Sequence, residues 1–172
     1  MTKLRARVWS DRRGAAAAEM ALVTPLLVIL MFGSLEIGKF FWDENVVVKA
    51  ARDGARYASR QSFASMPCGG PATNENQIKN VVRFGKPVVT VADLPLLYYW
   101  TNPATITVTI DCYANAGVNG ARVYDGLYTA RATVPRVFVT ASVPYSPLVG
   151  AIGFQSTGLS LNATSQATVF GL

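Results

Sequence analysis

The sequence predicts an α+β fold. One long N-terminal helix, transmembrane in its first half and amphipathic in its second, packs on a small C-terminal antiparallel β-sheet domain. Three observations carry that expectation. Residues 15–35 hold one charged side chain, Glu19, among alanines, leucines, valines and methionines. Residues 36–62 keep apolar side chains at helical spacing but add charges on the remaining face. Beyond residue 104, three stretches alternate apolar and polar residues, as half-buried strands do.

Residues 1–14 form a basic leader. Lys3, Arg5, Arg7, Arg12 and Arg13 stand against Asp11 alone, a net +4 of the chain's +6. Without it the charge is +2, so the basic balance speaks for membrane topology and not for nucleic acid. A short positive flank is expected to stay in the cytoplasm, with the rest of the chain outside. The apolar segment that follows is 21 residues long (residues 15–35). At about 1.5 Å per residue it covers roughly 30 Å, one hydrocarbon core. It is longer than the apolar region of an ordinary signal peptide, and no Ala-x-Ala cleavage pattern follows it.

Two residues interrupt this segment. Glu19 lies about one turn inside, where an unpaired carboxylate is expensive. It either sits among the headgroups or needs a cationic partner. Pro25 lacks an N–H and should loosen the helix at the carbonyl of Ala21, with Thr24 able to bond the carbonyl so freed.

The amphipathic half places Ile37, Phe41, Val48, Ala51, Ala55 and Ala58 on one stripe, widened by Phe40, Val47 and Gly54. The stripe thins toward alanine and glycine, which lets another element approach closely. Lys39/Asp43 and Lys49/Asp53 are spaced as i,i+4 pairs and are expected on the outer face. Arg52, Arg56 and Arg60 form a basic ridge, read as solvated.

A Ser/Gly/Pro-rich loop follows at residues 62–72. A short helix capped by Thr73 or Asn74 should run to Arg83 and end at Gly85-Lys86-Pro87, with Ile78, Val81 and Val82 buried. Val88 to Val91 reads as a short strand. Residues 93–103, rich in leucine and aromatics, read as a loop that covers the core; an exposed aromatic contact surface is the alternative. Strands are expected over residues 105–113, 130–145 (broken by Pro135 and Pro144) and 157–170, with a long exposed loop at 114–129.

The chemistry-bearing residues are few. The chain has no histidine and two cysteines, Cys68 and Cys112. A Ser-His-Asp triad is therefore impossible, and a Cys/His metal site has no support. Both cysteines fall on the expected outer side, where an even pair reads as a disulfide; two buried free thiols are the alternative. Asp93, Asp111 and Asp125 lie in or beside turns, where aspartate is ordinary. No enzyme activity, cofactor, nucleic-acid partner or small-molecule substrate is expected.

Gly14 followed five residues later by Glu19, at the head of an apolar helix behind a basic leader, resembles the prepilin-peptidase site of type IV pilin-like proteins. Thr24-Pro25-Leu26-Leu27, Phe32-Gly33, Leu35-Glu36-Ile37-Gly38 and Ala50-Ala51-Arg52-Asp53-Gly54-Ala55-Arg56-Tyr57-Ala58 resemble the TadE-like pseudopilins of the tight-adherence (Flp) pilus system. The resemblance is dense over residues 12–58 and returns at Val143-Pro144-Tyr145-Ser146-Pro147-Leu148. It implies a pilin-like organisation: a cleaved cytoplasmic leader (1–14), a long helix (15–62) and an extracytoplasmic α+β head (63–172). It also implies a single-pass protein of the bacterial inner membrane that becomes part of a pilus or of its membrane platform. Its partners would be the prepilin peptidase, other pilin-like subunits and the assembly platform. Gly14, Ala15 and Glu19 would form the processing site, and Glu19, Pro25, Phe41 and Val48 would serve assembly. Two other readings stand beside it. One is a permanently anchored membrane protein with an external binding domain; the other is a tethered hydrolase using an aspartate pair.

Overall fold

The computed structural model describes residues 12–117, 121–148, 150 and 158–171. The leader up to residue 11 and the expected strand start at Thr157 lie outside the described residues. Helix α1 is Arg12–Ser59, 48 residues without a break, with Pro25 inside it. At about 1.5 Å per residue it is roughly 70 Å long. Helix α2 is Glu75–Phe84. The strands are β1 (Ile106–Ala114), β2 (Thr133–Pro144) and β3 (Ser160–Thr168). They form one antiparallel sheet in the order β1-β2-β3. The architecture is α+β: a long helix packed on a small three-stranded antiparallel sheet.

Residue size decides how α1 meets the sheet. Val47, Ala50, Ala51, Ala55 and Ala58 are buried, as are Val137, Val139, Ala141, Val143, Leu161 and Ala163 on the facing strands. The opposite face of the sheet carries threonines; Thr140 and Thr164 are joined by a 3.1 Å hydroxyl contact. That alternation is what an antiparallel sheet with one wet face requires. Helix α2 closes the side of α1 with Ile78, Val81 and Val82. Gly54 lies where α1, α2 and β2 meet. A Cβ added there would sit 2.4 Å from Val82 Cγ2 and 3.6 Å from Val139 Cγ1. Gly85 ends α2 in the left-handed conformation (φ 75°), its N–H bonded to the Val81 carbonyl at 2.9 Å. A side chain would be strained there.

Ile37 and Phe41, at the head of the apolar stripe, are exposed, and the stripe is buried from Val47 to Ala58. Several expectations are corrected. Lys39 and Asp43 pair at 2.5 Å, but against the head and not on the outer face; Asp43 is buried. Thr24 bonds the carbonyl of Met20 at 2.6 Å instead of that of Ala21. Val88 to Val91 is not a strand: it is an exposed turn held by Asp93, whose carboxylate accepts from the Thr90 N–H (2.7 Å) and hydroxyl (3.1 Å). Pro135 lies within β2 instead of breaking it. Its carbonyl accepts from the Val169 N–H at 3.0 Å. Its nitrogen therefore points the same way, toward β3 beyond the last pair Arg136↔Thr168, and the ladder to β1 is undisturbed. Residues 93–103 divide between both readings. Trp100 and Leu97 are buried, whereas Leu94, Leu96 and Tyr98 are exposed.

Candidate functional site

Every side chain from residue 14 to residue 31 is exposed, although residues 20–31 are almost wholly apolar. Among the described residues this is the one helix long and apolar enough to cross a membrane. Gly14, Ala15 and Glu19 all lie on this bare stretch, away from the head. Nothing comes within 4 Å of the Cβ position at Gly14. Pro25 is exposed within the same stretch, Phe41 is exposed ten residues beyond it, and Val48 is half-buried against the core.

The head grips α1 immediately after the apolar segment. Glu36 is the first residue held. Its carboxylate accepts the Tyr145 hydroxyl at 2.5 Å and the Leu148 N–H at 3.0–3.2 Å. One turn on, Lys39 donates to the Ser146 carbonyl at 3.0 Å and to Asp43 at 2.5 Å. The Lys39 ammonium also sits over the rings of Tyr145 (4.8 Å) and Tyr99 (5.1 Å). Tyr99 closes the group by donating to Asp43 at 2.7 Å. Phe40 meets the Tyr145 ring edge-on, with centroids 5.3 Å apart. Loss of solvent, then the hydrogen bond to Glu36, pushes the Tyr145 phenol well above its ordinary value. Burial, then Asp43, does the same for Tyr99. Both phenols are held as neutral donors to carboxylates. The arrangement is a clasp that fixes the β2–β3 connection to the helix.

The two cysteines are joined. Cys68 and Cys112 form a disulfide with Cα atoms 5.7 Å apart, tying the loop after α1 to β1. The sequence paired Lys39 with Asp43 and placed Glu36 and Tyr145 in family-like motifs, but it did not join Glu36, Lys39, Asp43, Tyr99 and Tyr145 into one group. A signal existed: 36, 39/40, 43, 47, 50/51 and 54 continue one i,i+3/i+4 stripe into the buried alanines. Because its first members are charged, an apolar pattern passes over them. A second organiser, Asn115, was also missed. It is buried, donates to the carbonyls of Tyr124 (3.0 Å), Tyr128 (2.8 Å) and Arg131 (3.2 Å), and accepts from the Tyr124 N–H at 2.7 Å. It orders the β1–β2 loop.

Fold and site together define a class: a bare, apolar, span-length helix that carries a small disulfide-tied α+β head. Within it, residues 14–56 match the family model described as TadE-like protein. The matched stretch lies inside α1 and takes in Gly14, Glu19, Pro25 and the clasp residues Glu36, Lys39 and Asp43. No curated protein and no solved structure matches the chain.

Proposed function

We propose that this chain is a minor pilin-like subunit needed to assemble a tight-adherence pilus. It is inserted with its N-terminus in the cytoplasm and cut after Gly14 by a prepilin peptidase. It then acts by packing its helix among those of other pilin-like subunits at the inner-membrane assembly platform. It carries no reaction of its own. The observation behind this reading is the bare helix within the family match: an apolar surface of that length needs lipid or neighbouring helices to cover it. Gly14 suits a cleavage point. It weakens the helix by about 1 kcal/mol relative to alanine and offers the peptidase an unobstructed backbone. After cleavage the new amine at Ala15 is positive. Glu19 is its counterpart, one turn away in the same chain or on a neighbour offset by about a turn. Either charge left alone in a low-dielectric setting costs several kcal/mol.

Two variants test the reading. Gly14→Val is expected to accumulate as a precursor that retains residues 1–14, measured by mass spectrometry of membrane-extracted protein from cells with an active peptidase. Glu19→Gln is expected to be cut but to lose co-purification with partner pilins. A wild-type chain that keeps its leader in those cells refutes the proposal and leaves a permanent membrane anchor.

A further inference from the structure

The span-length segment ends at residue 35, and the head takes hold at the next residue. Leu148 donates its N–H to Glu36, so this part of the head stands within about one turn of the point where the helix leaves the hydrocarbon. Ser146 is fixed at the same level by Lys39, and Tyr98 by its 3.4 Å contact with Ser146. No stalk separates head from membrane. The headgroup layer is about 5–8 Å deep on each side. At 1.5 Å per residue, residues 36–40 rise through it; the backbones of Phe41 and Trp42 stand about 1–3 Å past its outer edge, with helical side chains slanting back toward the N-terminus and so toward the headgroups.

Among the described residues, the exposed side chains at this level are apolar or aromatic. Ile37 (59%), Phe41 (57%) and Trp42 (72%) project from the bare side of α1, and Tyr98 (73%) and Leu148 (61%) from the head. The charged groups at the same level turn inward. Glu36 meets Tyr145, and Lys39 meets Asp43 and the two tyrosine rings. A water-facing surface has no reason to hide its charges and present a tryptophan, a phenylalanine and two aliphatic side chains. An interfacial one does, because amphipathic aromatic rings collect at the headgroup level.

We propose that the head sits directly on the lipid surface through a collar of Ile37, Phe41, Trp42, Tyr98 and Leu148. This rests on the reading of α1 as membrane-spanning. The partner is the headgroup layer at the C-terminal end of the span. The clasp sets the height of the head above it.

The test uses the full chain with Trp9→Phe, reconstituted at low density in phosphatidylcholine vesicles. Their acyl chains are brominated either near the headgroups or near the terminal methyls. Trp100 is 1% exposed and serves as a shielded internal reference. Shallow bromines are expected to quench the Trp42 component and deep bromines to leave most of it. With Trp42→Phe that quenching is lost. Leu148→Trp, added to that second background, restores it and reports on the head itself. Val28→Trp in the same background, expected to respond to deep bromines, tests the span alone. If Val28→Trp is not quenched, the spanning reading has failed. If it is quenched while Trp42 and Leu148→Trp are not, the collar proposal is overturned. Emission that depends on protein density and not on bromine also overturns it, because a second copy then covers the face.

Discussion

Replacing Gly54 by alanine adds one methyl group where three elements converge. Helix propensity alone favours the change by about 1 kcal/mol, because glycine in a helix interior is that much worse than alanine. The new Cβ would stand 2.4 Å from Val82 Cγ2, closer than carbon atoms approach, with Ile78 O at 3.8 Å behind it. Val82 has 0% exposure, so its methyl has no solvent to move into. Overpacking of this kind costs about 1–3 kcal/mol. The tight contact and the immobile neighbour place this site near the upper end. The net expectation is a loss of about 1–2 kcal/mol. At roughly 4 °C per kcal/mol for a domain of this size, the midpoint falls by about 4–8 °C. The assay is thermal unfolding of the detergent-solubilised chain, disulfide intact, followed by near-ultraviolet circular dichroism. The partner mutation sharpens it. Val82→Ala alone creates a cavity and destabilises, but in the double variant the two defects fill each other. The double variant should therefore be more stable than the sum of the singles predicts. A Gly54→Ala chain as stable as the wild type or more so, with additive behaviour in the double variant, would refute the close-approach argument.

Removing the disulfide with Cys68→Ser and Cys112→Ser frees a loop of sequence separation 44 and should cost about 4 kcal/mol in the chain-entropy account, read as a lowered denaturant midpoint. Tyr145→Phe takes a hydroxyl from the Glu36 carboxylate and should destabilise by about 1–3 kcal/mol. The N–H of Leu148 should then exchange faster with solvent. The raised phenols of Tyr99 and Tyr145 give a pH dependence with a defined sign. In the unfolded chain both ionise near 10, and in the folded chain higher. Their contribution is complete below pH 10 and is lost as pH rises through that value toward the folded one. Thermal midpoints should therefore fall above pH 10, less steeply in a Tyr99→Phe/Tyr145→Phe chain.

What sequence alone could recover follows physical lines. The alanine and glycine stretch of α1, the buried face of α2 and the alternation of β1 depend on local periodicity, and all three are where the pattern puts them. Which aromatic of α1 meets the head was not readable, for a rotational reason. A neighbour in sequence lies about 100° round the helix, and Phe40, not Phe41, faces the head. An apolar stripe selects both, and only the position of Tyr145 decides between them. Asp43 was placed outward because its partners Tyr99 and Lys39 form a buried group only once residues far apart in sequence are brought together. Val88 to Val91 has the composition of a strand but no neighbour to pair with, and Asp93 turns the chain there instead. Gly14, Ala15 and Glu19 were picked out by spacing alone, and they lie on the part of α1 that is exposed throughout, residues 14–31.

The end of α1 is tied to the stretch just past β3. The N–H of Phe170 donates to the carbonyl of Ser59 at 2.7 Å, and β3, the last strand, lies against α1. During synthesis the apolar helix emerges well before β3 exists. The head then grows with its core open along the side that β3 will fill. Contacts so distant in sequence form slowly, because the intervening chain must first be brought to order. Until β3 is made, the alanine face of the helix and the inner face of β2 stay uncovered, open to proteases and to other nascent chains. A truncation that removes β3 is thus not a shorter head but an unfinished one.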